Sequence, residues 1–158
     1  VSSKSKDMIH DIIGRIDYES KHIIAEAKTK PPSLKKKRNK DEYYMATTQL
    51  PKDPDPTHVS QVAFYFHCTQ KKPFLFYVNE NEYTVFDDMN TEFLRKKQLK
   101  HAFETMRLSA RARQNLLKIS DDPKVLANFV PLNLMHFVWK ELDEEVLREI
   151  MDIWGVET

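Results

Sequence analysis

Glycine is very scarce in this chain, because Gly14 and Gly155 are its only glycines among 158 residues. Glycine adopts a positive φ without steric cost and allows the backbone to approach a ligand closely. Phosphate-binding loops and dinucleotide folds need several glycines within a short run. We therefore exclude Rossmann-type and P-loop nucleotide-binding folds for this sequence.

The remaining composition is that of a folded protein. Hydrophobic residues make up 41% and aromatic residues 11% of the chain, which is long enough to bury a core. The lone Cys68 cannot form an internal disulfide, and no apolar run reaches the roughly 18 residues of a membrane span. We expect an intracellular protein, in the nucleus or the cytoplasm, with no membrane partner.

Charge is segregated along the sequence, although the formal net charge is only +1. Residues 95 to 114 carry seven lysines and arginines against a single acid, Glu104. Residues 120 to 158 carry three basic and nine acidic side chains. Such a chain can pair its own basic and acidic segments, or it can offer two unlike surfaces to two partners.

An isoleucine-rich segment from residue 7 to 28 has helical spacing, with Asp7 near its start and Lys28 near its end. It predicts an amphipathic helical arm over residues 1–28, which docks on the rest of the chain or binds a groove on a protein partner or on a second copy. The protein-binding residues that we predict for the arm and for the C-terminal part are Ile9, Ile12, Ile16, Ile23, Trp139 and Trp154.

Residues 29–58 contain five of the eight prolines and little apolar periodicity, which is typical of a linker. A basic run from residue 35 to 40 lies within it and includes Lys36, Lys37 and Arg38. Such a run is equally compatible with nuclear import or nucleic-acid contact and with a solvated linker.

Residues 59–158 predict a compact α+β domain. Alternation from Val62 to Cys68, followed by "FLFYV" and "YTVF", indicates a small antiparallel three-stranded meander. Cap residues near Thr91 open a long basic helix to about residue 118. "SDDP" restarts a C-terminal helical cluster, which breaks at Pro131 and near Asp143 and ends at Gly155.

The long helix is predicted to expose one stripe of cations and to pack an apolar stripe on the sheet. This stripe could bind phosphates, remain solvated, or meet acids on the last helix such as Glu145 and Glu149. The candidate residues for binding nucleic acid or an acidic partner on this helix are Lys96, Lys100, Arg107, Arg111 and Lys118.

No catalytic group is evident from the sequence alone. His67 and Cys68 would point to opposite faces of a strand, and Asp53, Asp55 and His58 lack a convergent set of metal ligands. We therefore expect no cofactor, no metal and no enzymatic activity. The favoured function is a non-catalytic protein-protein interaction module in a nuclear or nucleic-acid-associated assembly. The alternative is an RNA- or DNA-binding domain that uses the basic helix 95–118 and the basic run 35–40.

Overall fold

The computed structural model describes residues 1–3, 8–38, 41–132 and 142–156. The chain divides into two compact units. The first unit comprises Val1–Lys6 and Asp11–Leu108, and the second comprises Asp7–His10 and Ser109–Thr158. The predicted boundaries at residues 28 and 58 stay a prediction, and the interval between them contains a β-hairpin.

Eight strands and four helices are described, and they make the protein a mixed α+β fold, as predicted. Their bounds are β1 Ser2–Ser3, β2 Ile12–Ile13, β3 Tyr18–Glu19, β4 Ile23–Thr29, β5 Ser33–Lys36, β6 Tyr43–Ala46, α1 Pro56–Thr69, β7 Lys72–Val78, β8 Tyr83–Phe86, α2 Lys96–Leu116, α3 Pro123–Ala127 and α4 Glu144–Ile153.

The main sheet of the first unit has the strand order β3-β4-β7-β8. Strands β4 and β7 are parallel, and α1 lies between them in the chain as the crossover helix. Strands β3 and β8 pair antiparallel at the two edges. Two small antiparallel pairs, β1 with β2 and β5 with β6, lie outside this sheet.

The predicted N-terminal helix is wrong, because residues 12–29 form strands β2, β3 and β4. Isoleucine is β-branched and favours extended backbone, so its clustering was compatible with strands as well as with a helix. In β4 the buried Ile24 and Glu26 alternate with the more exposed Ala25 and Ala27. This period of two identifies a strand that has one face toward the core.

The predicted three-stranded meander is also wrong, because its first strand is helix α1. Asp55 caps this helix by accepting a hydrogen bond from Thr57 N at 2.8 Å, and Pro56 occupies the first turn. Five residues of α1, from Val59 to Tyr65, are buried. Because buried residues occur on several sides of this helix, its apolar pattern resembles that of a strand.

The second and third predicted strands are confirmed as the antiparallel pair β7 and β8. Their inward residues join those of α1 and β4 in a single core cluster. Helix α2 contributes Leu99 and Phe103 to this cluster, which confirms that its apolar side is buried. The core residues are Ile24, Val59, Val62, Ala63, Phe64, Tyr65, Leu75, Tyr77, Phe86, Leu94, Leu99 and Phe103.

The second unit contains helices α3 and α4. Asp122 caps α3 by accepting a hydrogen bond from Lys124 N at 2.8 Å, so the predicted restart signal is confirmed. Gly155 takes a φ of 65° just past α4, as predicted for a helix end. None of the helices formed by the described residues combines the length and the apolar character that crossing a membrane requires.

Candidate functional site

A buried carboxylate lies in the middle of strand β4. Glu26 is only 2% exposed, and its Oε2 atom has no hydrogen-bond partner among the described residues. Burial of an acid without full pairing is costly, so such groups are uncommon outside functional sites. Burial is the main cause that raises the pKa of Glu26 above its usual value.

A second carboxylate, that of Asp17, lies beside Glu26. The β3–β4 register pairs Tyr18 with Ala25, and its continuation by one residue places Asp17 opposite Glu26. Asp17 Oδ2 accepts a hydrogen bond from Ala27 N at 2.9 Å, which fixes the carboxylate next to β4. After burial, Lys28 lowers the pKa of Glu26, whereas Asp17 raises it through its charge and by accepting a hydrogen bond from the protonated acid.

Lys28 lies two residues after Glu26 and therefore on the same face of β4. Its Nζ donates to Glu26 Oε1 at 2.5 Å and to Gln61 Oε1 of helix α1 at 2.8 Å. These two contacts fix the position of the ammonium group. Because an ammonium has three N–H donors, these two contacts leave one N–H of Lys28 for a further acceptor.

Helix α1 holds this arrangement through a chain of hydrogen bonds. Gln61 Nε2 donates to the Tyr65 hydroxyl at 2.8 Å, and that hydroxyl donates to the carbonyl oxygen of Arg15 at 2.6 Å. Gln61 and Tyr65 are four residues apart and so share one face of the helix. The helix thereby connects Lys28 with the backbone segment that leads into Asp17.

Gly14 allows this segment to lie directly against α1. A Cβ at residue 14 would be 2.8 Å from Phe64 Cε1 and 2.9 Å from Tyr65 Cε1, which is closer than carbon atoms pack. Both rings are buried, so they have little room to move. One of the two glycines of the chain therefore lies at a position where a side chain does not fit.

His58 lies one turn before Gln61 on α1. Its Nδ1 is 2.7 Å from the Tyr77 hydroxyl, and its pKa is lowered first by burial and then by the charge of Lys28. Lys30 also lowers the pKa of His58, and Lys30 Nζ lies 5.6 Å from the centre of the Tyr77 ring. Lys28 and Lys30 thus form a positively charged stretch that continues past the end of β4.

We call Asp17, Glu26, Lys28 and Gln61 the β4 cluster. Within the described ranges, no group of three or more His, Cys, Asp and Glu side chains could hold a metal ion. Mg²⁺ requires less, since it is usually bound by one or two carboxylates together with waters and substrate phosphates. The two carboxylates of the β4 cluster supply the hard oxygen ligands that Mg²⁺ and Mn²⁺ prefer.

The sequence interpretation missed the β4 cluster because its residues lay in the predicted helical arm. The available signal was an acid and a lysine two residues apart, Glu26 and Lys28, within the alternating "IAEAK" run. Residues at that spacing share a face only if the segment is a strand. On a helix they would diverge, so the error in secondary structure also concealed the site.

The predicted basic stripe is exposed at several of its positions. Lys96, Lys100 and Arg111 are exposed on α2, and Lys118 is exposed beyond the end of that helix. Arg107 is half-buried, and its Nε donates to Glu104 Oε2 at 3.0 Å. The cationic stripe of α2 thus lies next to the stripe that contains the core residues Leu99 and Phe103.

The structure brings the predicted basic run into the β5–β6 hairpin. Lys36 pairs with Asp41 at 2.6 Å and Lys37 pairs with Glu42 at 2.8 Å, while Arg38 is exposed. These pairs are on the surface and contribute little to stability.

The predicted protein-binding residues that the structure describes differ in their burial and lie in several elements. Ile12 and Ile16 pack partly buried against the core, Ile23 lies on β4, and Ile9 is exposed in the second unit. Trp154 Nε1 donates to the carbonyl oxygen of Val130 at 2.7 Å, and Trp139 lies outside the described residues.

Comparisons with models of known families, with curated proteins and with solved structures found no match.

Proposed function

We propose that the chain is a divalent-metal-dependent phosphodiesterase that cleaves nucleic acid. The observation that carries this proposal is the buried carboxyl group of Glu26, whose Oε2 is without a partner among the described residues when the acid is ionised, beside Asp17 and Lys28. A cation bound by both carboxylates would satisfy this oxygen and would offset the repulsion between the two acids. A buried acid with a raised pKa beside charged groups is a typical candidate for a functional site.

Each residue of the cluster has a role in this reaction. Asp17 and Glu26 hold the cation, which when bound polarises a phosphoryl oxygen and makes a water more acidic. Lys28 donates to a phosphate oxygen and stabilises the negative charge that develops there. Gln61 orients Lys28, and Tyr65 holds the backbone before Asp17 in place.

Nucleic acid is the substrate that fits the surrounding charge. Helix α2 carries six lysines and arginines against one acid, and the segment of residues 33–46 carries five against two. Most of the described cations in both regions are exposed, which is the electrostatic pattern of phosphate-backbone binding. The predicted RNA- or DNA-binding function is therefore part of this proposal, and the predicted lack of enzymatic activity stays a prediction that the β4 cluster argues against.

A cleavage assay tests the proposal. The full chain is incubated with labelled single-stranded DNA, double-stranded DNA and RNA, with Mg²⁺, Mn²⁺ or a chelator. We expect cleavage of at least one substrate that requires the metal and falls by about 10²-fold or more in Glu26→Gln and in Asp17→Asn. Glu19→Gln is the matched control, since Glu19 is an exposed acid of β3 that pairs with Lys71.

Two results would contradict the proposal. One is the absence of cleavage on all substrates with either metal. The other is cleavage that Glu26→Gln leaves unchanged, since the activity would then come from elsewhere or from a contaminant.

A second candidate function concerns the second unit. Its described residues include large apolar side chains that are strongly exposed, among them Ile119, Phe129 and Val130. Exposed apolar groups of this kind favour a protein interface, as in the predicted interaction module. We propose self-association through them, which sedimentation over a range of concentrations would detect and Phe129→Ser would weaken.

A further inference from the structure

The β5–β6 hairpin projects apolar, aromatic and basic side chains into solvent. Leu34 is 65%, Met45 is 61%, Tyr43 is 59% and Tyr44 is 45% exposed. A two-stranded hairpin without a covering layer is marginally stable by itself. A protein that keeps four such residues exposed on one hairpin has a surface suited to a partner.

The register of the hairpin sets a lysine beside each tyrosine. Lys35 pairs with Tyr44 and Lys36 pairs with Tyr43 across the two strands. Residues that are directly opposite lie on the same face, whereas successive residues alternate, so each face of the hairpin carries one lysine–tyrosine pair. Lys36 Nζ lies 5.9 Å from the centre of the Tyr43 ring.

Side chains of these two kinds recognise unpaired nucleotides. An exposed aromatic ring stacks on any base, and an adjacent cation binds the neighbouring phosphate, which together give tight binding with little dependence on sequence. The surface ion pairs of Lys36 and Lys37 with Asp41 and Glu42 are weak enough to exchange for phosphate contacts.

The hairpin is fixed next to the β4 cluster in the chain and in the fold. Only residues 30 to 32 separate the end of β4 from the start of β5. Lys30 N donates to the carbonyl oxygen of Val78, and Thr48 Oγ1 donates to that of Pro31 at 2.6 Å. Asn79 Nδ2 also donates to the carbonyl oxygen of Thr48 at 2.9 Å, so both ends of the hairpin are tied to the turn after β7.

We infer that the β5–β6 hairpin is a substrate-binding wing that holds an unpaired stretch of nucleic acid, with a base on the tyrosine of either face, Tyr43 or Tyr44, and the neighbouring phosphates on the adjacent basic side chains. This inference rests on the proposed function for the identity of the substrate. At about 3.3 Å per residue, a four-residue strand is roughly 13 Å long.

Binding is tested by fluorescence anisotropy with a labelled single-stranded 12-mer in chelator, where no metal-dependent cleavage occurs. We expect Tyr43→Ala with Tyr44→Ala to weaken binding at least tenfold. Tyr83→Ala is the matched control, because Tyr83 is an aromatic residue of β8 that is 71% exposed. We expect this control to change the affinity less than twofold.

A charge variant gives an independent measurement that retains both tyrosines. Lys35→Glu with Arg38→Glu replaces two exposed cations, and it should lower the slope of log affinity against log salt by about 1.4, since each single-strand phosphate contact contributes about 0.7. Lys52→Glu, at another exposed position, is the control. Unchanged binding in both the aromatic and the charge variant would overturn the inference.

A short substrate separates this inference from the proposed function. Bis(4-nitrophenyl) phosphate cannot span the cluster and the hairpin, so the tyrosine variant should hydrolyse it at the unaltered rate while losing activity on the 12-mer. If the tyrosine variant hydrolyses both substrates at the wild-type rates, the wing is refuted and the phosphodiesterase proposal stands. Tyrosine-dependent binding without hydrolysis of either substrate would refute the phosphodiesterase and leave a nucleic-acid-binding hairpin.

Discussion

The β4 cluster and the β5–β6 hairpin are neighbours in the chain, yet they hold their charges in opposite ways. In the cluster, Glu26 is buried and Lys28 is fixed by two hydrogen bonds. On the hairpin, lysines and tyrosines are exposed, and their ion pairs are those of a surface. The difference fits the two roles that we propose, because chemistry requires fixed groups whereas binding of a flexible strand tolerates mobile ones.

The largest expected effect comes from removing the positive charge of Lys28 in the β4 cluster. Lys28→Met should lower kcat by about 10²- to 10³-fold, because it removes a donor that acts on the developing charge of the phosphate. Affinity for the single-stranded 12-mer should change less than twofold, since the hairpin supplies most of it. Steady-state kinetics and anisotropy measure the two quantities.

Lys30→Met is the control for that variant. Lys30 is also half-buried and lies near His58, but no hydrogen bond connects it to Glu26 among the described residues. An equal loss of kcat in both variants would show that general positive charge, rather than the position of Lys28, determines the rate.

A smaller effect is expected from the backbone beside the cluster. Gly14→Ala should lower the free energy of unfolding by about 1–3 kcal/mol, because its methyl group overlaps the rings of Phe64 and Tyr65. Urea denaturation measures this change. Gly155→Ala meets no atom within 4 Å, so its cost should be limited to the strain of its positive φ, about 1 kcal/mol.

Stability should also report the titration of the buried acid. Burial chiefly raises the pKa of Glu26, so the folded state holds that proton more tightly than the unfolded chain does. This contribution to stability is fully present below the unfolded pKa and is lost as pH rises through the folded pKa. In chelator, wild-type Tm should therefore fall relative to that of Glu26→Gln as the pH increases above about 4.5.

Melting curves from pH 4 to pH 8 measure that difference, and Mg²⁺ should raise Tm of the wild type but not of Glu26→Gln at pH 8. Parallel pH profiles for the two proteins would contradict the assignment of Glu26 as a buried, destabilising acid.

The smallest expected effect is that of the basic side of α2. Lys96→Glu with Lys100→Glu changes two exposed residues, so the free energy of unfolding should change by less than about 0.5 kcal/mol. If the helix contacts duplex DNA, the slope of log affinity against log salt should fall by about 1.8. An unaltered slope would assign nucleic-acid binding to the hairpin alone.

The sequence predicted correctly those elements whose apolar pattern fits only one type of secondary structure. "FLFYV" and "YTVF" are short, apolar and bounded by turn residues, and they form β7 and β8. Helix α2 is 21 residues long with separate apolar and basic sides, and it was predicted within a few residues at each end.

The elements that were predicted wrongly have apolar patterns compatible with both the helical period and the strand period. In α1, residues 62 to 65 are all buried, so neither helical nor strand periodicity stands out. Around Ile12 to Ile24, β-branched residues recur at spacings that suit a helix as well as short strands. The parallel pairing of β4 with β7 depends on distant residues, so local pattern could not predict the β4 cluster that it supports.

The hydrogen bonds of α1 have a mechanical consequence. Gln61 holds Lys28, and Tyr65 holds the carbonyl group of Arg15, two residues before Asp17. One helix thus anchors both the amine and the backbone that leads into the acid. In the proposed reaction, the residue that would hold the cation and the residue that would contact the phosphate are therefore linked to the same rigid element.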